Sequence, residues 1–182
     1  MVTKEGLHAA LQDVVDPRRN LYASAYALHW RWADDNTSAC EDEKRFRDFV
    51  ELMNIPPPQR LMLSLKTPCS TRFPVSKFSK RLHESFAKAA HDPGDSVVIL
   101  HYAGHGRENV LGRFELCSLS GRVIAVDHLL RDVLSEYVIP FDERVDVVVI
   151  LDCCFAFLAS RSNEPNYRRV DILSASEERI PT

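Results

Sequence analysis

A histidine between two glycines and a pair of adjacent cysteines are the residues of this chain whose types best suit chemistry. His105 lies in HYAGHG at 101–106, and the two cysteines end LDCC at 151–154. A thiolate is a strong nucleophile, and a neighbouring imidazole can take up the proton of the thiol. The glycines beside His105 leave space for a second backbone and a substrate to approach. The two motifs therefore indicate covalent catalysis by a cysteine and a histidine.

The alternation of side chains along a strand separates the two cysteines. The mainly apolar run 145–151 predicts a strand that is buried on both faces. If that strand continues, Asp152 and Cys154 point to one side and Cys153 points to the other. The segment FAFLAS that follows predicts a helix, whose amino end would favour the thiolate. We therefore predict Cys154 as the nucleophile, His105 as its base and Cys153 as a buried structural thiol.

The spacing of apolar residues predicts alternating helices and strands around these motifs. The helix at 7–15 belongs to a peripheral segment, 1–20, and Ser38 and Glu41 have the spacing of a capping box. His101, inside a predicted strand, is expected in the core. The predicted helices lie at 7–15, 41–54, 78–89 and 127–137, the strands at 20–30, 60–66, 97–100, 145–152 and 168–175, and a hairpin at 114–125.

These elements predict an α/β fold with a mainly parallel, doubly wound sheet and helices on both faces, formed by residues 1–182 as a single domain. Parallel strands present their carboxyl ends at one edge of the sheet, where open α/β sheets bind ligands. The strands that end in AGHGREN and LDCC therefore bring His105 and Cys154 to the same edge.

Composition narrows the functional classes. The chain has 182 residues, of which 45% are hydrophobic, and a net charge of −3 without a clustered basic face, so no nucleic-acid or membrane partner is expected. The five cysteines have no zinc-type spacing and indicate reduced thiols in the cytoplasm.

Two other kinds of site are disfavoured by the same motifs. GHGREN lacks the third glycine of a dinucleotide-binding motif. A zinc site from His101, His105, Cys153 and Cys154 is disfavoured because strand alternation directs the two cysteines to opposite sides.

The motifs HYAGHG and DCC resemble those of the caspase-like cysteine peptidases, most closely metacaspases and fungal caspase-like domains. His105 precedes Cys154 by 49 residues, close to the spacing of about 50 residues that caspases have. The resemblance extends from the strand near Tyr22 to DILSAS at 171–176, and it implies a caspase-like three-layer fold.

The resemblance also implies the roles of the site residues. His105 handles protons, Cys154 attacks a scissile carbonyl, and the backbone N–H groups of Gly106 and Cys154 stabilise the oxyanion. Asp152, with Asp34 and Asp35, would line a pocket for the substrate side chain that precedes the cut, which favours arginine or lysine. No metal or organic cofactor is needed, the substrate is a protein or peptide, and the family suggests a link to programmed cell death.

Departures from the family pattern leave alternatives open. Arg31, if it faced the pocket, would instead favour an acidic substrate side chain, and Arg107 introduces a cation beside His105. Phe155 stands where metacaspases usually have histidine. Family members also continue beyond the strand that ends near residue 176, so we expect either a missing carboxyl-terminal segment or a partner domain to complete the substrate groove. The rival hypothesis is a catalytically impaired caspase-like module that serves interaction or regulation.

Overall fold

The computed structural model describes four stretches of the chain, residues 22–64, 73–126, 144–161 and 170–174. The predicted segment 1–20 with its helix, and the predicted helix at 127–137, lie outside the described residues.

The described elements follow the predicted alternation of strands and helices. In chain order they are β1 Tyr22–Trp32, α1 Ala39–Leu52, β2 Gln59–Leu63, α2 Phe73–His91, β3 Asp95–Ala103, β4 His105–Glu108, β5 Phe114–Cys117, β6 Val123–Ala125, β7 Val145–Asp152, a 3-10 helix Ala156–Arg161, and β8 Val170–Ser174.

Five of the strands form one parallel sheet in the order β2-β1-β3-β7-β8. Its inner strands are β1, β3 and β7, each of which is paired on both sides. The two continuous apolar runs of the sequence are β3 and β7, whose side chains are buried on both faces of the sheet. Eight residues of β3 are buried, from Ser96 to Ala103. The mainly parallel α/β fold predicted from the sequence is confirmed.

Each face of this sheet packs against one of the two described helices. The face carrying Leu28, Val98 and Val149 contacts α2 through Phe78 and Phe86. The opposite face packs against α1, where the main apolar contacts come from two side chains spaced one turn apart. Those two side chains are Phe46 and Val50. Alternate side chains of the strands thus belong to two hydrophobic clusters, one on each face of the sheet, and the helices form the outer layers.

A small antiparallel sheet, β4-β5-β6, adjoins the α2 side of the main sheet. The predicted hairpin around Ser120 and Gly121 is confirmed as β5 and β6, but β4 was not predicted. Its sequence, HGRE, has no apolar alternation, and it is a strand because it pairs with β5. His105 is therefore the first residue of a strand rather than part of a loop.

The start of α1 differs from the predicted capping box. Ser38 is the N-cap residue, but its side chain makes no capping hydrogen bond. Its backbone φ of −75° and ψ of 19° are not those of the extended conformation that directs a cap hydroxyl toward the helix. The hydroxyl of Thr37 instead accepts a hydrogen bond from the Ala39 N–H at 3.2 Å. Ser38 is thus at the predicted N-cap position, but the predicted capping box is wrong, because the side chain that accepts the hydrogen bond from the helix end is that of Thr37 rather than Ser38.

None of the helices in the described ranges combines the length and the apolar character that crossing a bilayer requires.

Candidate active site

The carboxyl ends of β3 and β7 bring the two sequence motifs together. The strands are parallel and paired through Ala103 and Asp152, the last residues of each. The Gly104 N–H then donates a hydrogen bond to the Asp152 carbonyl at 3.3 Å. Because the pairing extends to the strand ends, the residues that follow, His105 and Cys154, leave the same edge of the sheet.

The two glycines that flank His105 allow this close approach for different reasons. Gly104 has a φ of +145°, which L residues with a side chain rarely adopt, and a Cβ there would collide with the Asp35 carboxylate. A Cβ on Gly106 would collide with the Cys154 carbonyl oxygen and lie 3.1 Å from the Cys153 sulfur. Gly106 therefore lies directly against the backbone of the cysteine pair.

The two adjacent cysteines lie in opposite environments. Cys154 is exposed, whereas Cys153 is buried in the cluster on the α2 side of the sheet. Burial, and secondarily the charge of Asp152, raises the pKa of the Cys153 thiol well above its ordinary value. The solvent-facing and therefore accessible thiol of the pair is Cys154.

The segment after Cys154 differs from the predicted helix. Ala156–Arg161 is a six-residue 3-10 helix, and it begins two residues beyond Cys154. Phe155 between them has a φ of 60°, an uncommon conformation for a residue with a side chain. So short a helix aligns few peptide dipoles, and the helix-dipole argument for a thiolate at Cys154 is not supported by this geometry.

The side chain of His105 contacts a residue that the sequence did not single out. Its Nε2 lies 2.7 Å from the Oδ1 of Asn36, in the loop between β1 and α1. Tyr102 fixes the backbone of the same histidine, because its hydroxyl donates to the His105 carbonyl at 2.9 Å. Within the described stretches, no hydrogen bond joins His105 to the Cys154 sulfur, and catalytic hydrogen bonds often form only when substrate is bound.

Cys117 is a second residue near the histidine that the sequence analysis gave no role. It pairs with His105 across β4 and β5, so the two side chains lie on the same face of the small sheet. Burial raises the pKa of the Cys117 thiol, so it is mainly protonated at neutral pH. The register of β4 against β5 brings these two side chains together. Because β4 was not predicted from the sequence, their proximity could not be predicted either.

Asp152 occupies a half-buried position on the α1 side of the sheet. Burial, and secondarily the negative charge of Asp42 in α1, raises the pKa of its carboxyl group, while Arg45 opposes this shift. Arg45 is bound to Asp42 at 3.0 Å. The Asp152 carboxylate is thus held where its negative charge is poorly solvated.

Asp34 and Asp35 bind the loops around His105. The Oδ2 of Asp34 accepts a hydrogen bond from the Ser120 N–H at 3.0 Å, and the Oδ1 of Asp35 accepts one from the Thr37 N–H at 2.7 Å. The second oxygen of each carboxylate is buried and has no hydrogen-bond partner among the described residues. Both aspartates therefore hold the β1–α1 loop in place, and each keeps one acceptor oxygen.

The two arginines that the sequence left open are both paired with glutamates. The Arg31 Nε lies 3.4 Å from Glu43 in α1. Arg107 binds Glu115 in β5, with its Nε at 3.0 Å and a second nitrogen at 2.9 Å. The positive charge beside His105 is thus compensated within the small sheet.

A buried histidine pair lies under α1, outside the motifs. The Nδ1 atoms of His29 and His101 are 2.9 Å apart, and Glu43 approaches His29 Nε2 at 3.6 Å. Burial lowers the pKa of His29 to about 4 and that of His101 well below its ordinary value. Across the described residues no group of acidic, histidine or cysteine side chains has a geometry that would hold a metal ion. His101 is a core residue, as predicted.

Comparison with known proteins agrees with the fold and the position of these motifs. The family model for the caspase domain matches residues 69–178, a range that includes both motifs and the strands that end in them. No curated protein matches the chain. Since the match covers more than half of the 182 residues, and the mainly parallel sheet brings the histidine and cysteine motifs to one edge, the chain belongs to the caspase domain family.

Proposed function

We propose that the protein is a cysteine endopeptidase in which His105 and Cys154 form the catalytic dyad. The observation that carries the proposal is the contact of the Gly106 backbone with that of Cys154, at the common edge of β3 and β7, beside an exposed thiol. A peptidase of the caspase family acts on proteins or peptides, and this chemistry needs no metal or organic cofactor.

The reaction proceeds by acyl transfer through the thiol. His105 removes the Cys154 proton as the sulfur attacks the scissile carbonyl carbon, which forms a tetrahedral intermediate. His105 then gives the proton to the leaving amine as the C–N bond breaks, and a thioester remains. A water molecule, deprotonated by His105, attacks the thioester and releases the acid and the free thiol.

The backbone N–H groups of Gly106 and Cys154 are the proposed oxyanion donors. The Asn109 N–H binds the Arg113 carbonyl at 2.9 Å, so alternate residues of β4 form the hydrogen-bonded pairs with β5. Gly106 pairs with Leu116 in the intervening, non-hydrogen-bonded position. Its N–H is therefore directed away from β5, which supports a role as a donor to the developing oxyanion.

We propose that the substrate residue before the cut is arginine or lysine and that Asp152, with Asp34 and Asp35, provides the negative charge that binds it. The support is electrostatic. A desolvated Asp152 carboxylate gains most from a cationic partner, whereas Arg31, which would favour an acidic side chain, is already paired with Glu43.

The test of this function is the separate replacement of the adjacent cysteines. Fluorogenic peptides with arginine, lysine or aspartate before the cut are incubated with the wild type, Cys154→Ala and Cys153→Ala. We expect turnover of the basic peptides that is abolished in Cys154→Ala and largely retained in Cys153→Ala, which is the matched control at the next position.

Two results would contradict the proposal. Equal loss of turnover in both variants would mean that Cys154 has no special role. No turnover in the wild type, together with slow and uniform thiol labelling by a peptide-directed electrophile, would favour the interaction or regulatory module instead.

The proposed setting is the cytoplasm, because cysteines without zinc-type spacing indicate reduced thiols. The proposed process is programmed cell death, as the family resemblance suggests. Expression of the wild type and of Cys154→Ala in matched cells tests the link to cell death. A difference in viability between the two supports the assignment, and equal viability contradicts it.

A further inference from the structure

The contact between Asn36 and His105 decides which ring nitrogen of His105 can act as the base. The amide oxygen Oδ1 of Asn36 lies 2.7 Å from the Nε2 of His105. An amide oxygen only accepts hydrogen bonds, so Nε2 must carry the proton in this contact. In a neutral imidazole the other nitrogen, Nδ1, then holds the lone pair.

We propose that Asn36 is a positioning residue of the dyad that holds His105 as its Nε2–H tautomer, so that Nδ1 receives the thiol proton of Cys154. The inference rests on the proposed peptidase function. In the step itself the Cys154 S–H bond breaks, the proton forms a bond to Nδ1, and the sulfur electron pair attacks the carbonyl carbon. The Nε2–H bond to Asn36 stays intact throughout and stabilises the imidazolium that forms.

The loop that carries Asn36 is held in place on both sides of that residue. Asp34 accepts a hydrogen bond from the Ser120 N–H at 3.0 Å, which attaches the loop to the turn between β5 and β6. Asp35 accepts one from the Thr37 N–H at 2.7 Å and lies in the space that a side chain at Gly104 would need. Asn36 is therefore preorganised next to the histidine, so little ordering entropy is lost when the ring is oriented.

The histidine backbone is fixed by a separate contact. The Tyr102 hydroxyl donates to the His105 carbonyl at 2.9 Å, from a side chain that is fully buried in the core. With the backbone fixed by Tyr102 and the ring held at Nε2 by Asn36, rotation of the imidazole is restricted at two points. An Asn36 amide turned the other way would donate to Nε2 and force the opposite tautomer, in which Nδ1 cannot accept a proton.

The direct test is the tautomer of His105, measured by ¹³C and ¹⁵N NMR of the histidine rings in the full chain. The seven histidines are distinguished by comparison with His105→Gln. We expect neutral His105 to be the Nε2–H tautomer in the wild type and in Asn36→Asp, which keeps an acceptor oxygen, and a mixture of both tautomers in Asn36→Ala. Ser38→Ala, a nearby loop substitution whose side chain caps nothing, should not change the spectrum. An Nδ1–H tautomer in the wild type, or unchanged populations in Asn36→Ala, would overturn the proposal.

Kinetics separate the failure of this inference from the failure of the proposed function. We expect Asn36→Ala to lower kcat by about 10- to 100-fold with little change in KM, as loss of a partner that orients an active-site histidine does at metal sites, and Asn36→Asp to recover most of the rate. Turnover that depends on Cys154 but not on Asn36 overturns the positioning role and leaves the peptidase intact. A tautomer that depends on Asn36 in a chain without any turnover overturns the peptidase and leaves the tautomer assignment intact.

Discussion

Gly104 and Gly106 meet two different steric demands although they flank the same histidine. Gly104 needs the backbone freedom of glycine, because its φ is +145°, whereas Gly106 needs only the absence of a side chain. The neighbour of Gly106 is the carbonyl of Cys154, which is backbone and cannot rotate aside. A methyl group at 106 must therefore push the two motifs apart.

We predict that Gly106→Ala lowers kcat more than 100-fold and the free energy of unfolding by about 1 to 3 kcal/mol, the usual cost of overpacking. Peptide hydrolysis and urea unfolding measure the two effects. The control is Gly112→Ala in the β4–β5 turn, where φ is +71° and the nearest atom is 3.5 Å from the added carbon. That variant should lose stability through backbone strain but keep its rate per folded molecule, and a similar rate loss in both would refute the steric argument.

Asp152 combines a cost in stability with its proposed role in substrate binding. Burial and the nearby Asp42 raise the pKa of its carboxyl group, so ionised Asp152 costs stability in the folded chain above its ordinary pKa. A cationic substrate side chain would offset that cost on binding.

We therefore predict that Asp152→Asn increases the free energy of unfolding at pH 7 and raises KM for arginine peptides. In the wild type, KM should also rise as pH falls through the elevated pKa of Asp152, because the protonated carboxyl group loses its charge. The variant should lack this pH dependence. Chemical unfolding and steady-state kinetics across pH test both effects, and an Asp152→Asn protein that is less stable but equally selective for arginine would contradict them.

At the scale of the elements, the periodic spacing of apolar residues predicted which helices and strands pack together. Individual polar contacts between distant residues were not predicted. The stripe containing Phe46 and Val50 predicted α1, and two apolar runs predicted β3 and β7, because burial of one face constrains the sequence at regular intervals. β4 lacks such a pattern. The Asn36 contact joins positions 69 residues apart and depends on the exact path of a loop, for which a single sequence carries no periodic signal.

The packing of α1 on the sheet depends on a histidine pair that must remain uncharged. Phe46 covers His101 with ring centroids 4.3 Å apart, and His29 contacts His101 through Nδ1. Glu43 from α1, Arg31 from β1 and Arg60 from β2 are the charged groups around the pair. The desolvation of the rings outweighs the attraction of Glu43, since burial is the largest cause of the lowered pKa of His29.

We predict that acidification destabilises this packing between pH 6.5 and about 4. Above pH 6.5 His29 is neutral in both states, and below it the unfolded chain binds a proton that folded His29 does not bind until its pKa of about 4. The lost stability is up to roughly 3 kcal/mol. Urea unfolding at a series of pH values measures it. His29→Gln should flatten the slope in this range, and His83→Gln, at an exposed position of α2, should leave it unchanged. Equal slopes in both variants would contradict the assignment.

At the scale of the whole molecule, the five-stranded sheet is shared by both hydrophobic clusters. Both tryptophans of the chain, Trp30 and Trp32, are buried on the α2 face, whereas Val50 is buried on the α1 face. Alternate residues of β1 and β3 belong to the two clusters, so both faces are packed on the same strands. The sheet should therefore couple a change on one face to unfolding on the other.

We predict that Val50→Ala lowers the free energy of unfolding by roughly 2 kcal/mol, because it removes two buried methyl groups and leaves a cavity. The shift should be the same in tryptophan fluorescence, which reports the opposite face, and in far-UV circular dichroism, since small domains usually unfold in one cooperative transition. Leu52→Ala on the same helix is the matched control, because Leu52 is 61% exposed and its loss should change stability by less than about 0.5 kcal/mol. If Val50→Ala shifts the circular dichroism transition but leaves the tryptophan transition in place, the two faces unfold separately. The position of the sheet edge that carries His105 and Cys154 would then depend on the packing of only one of the two faces.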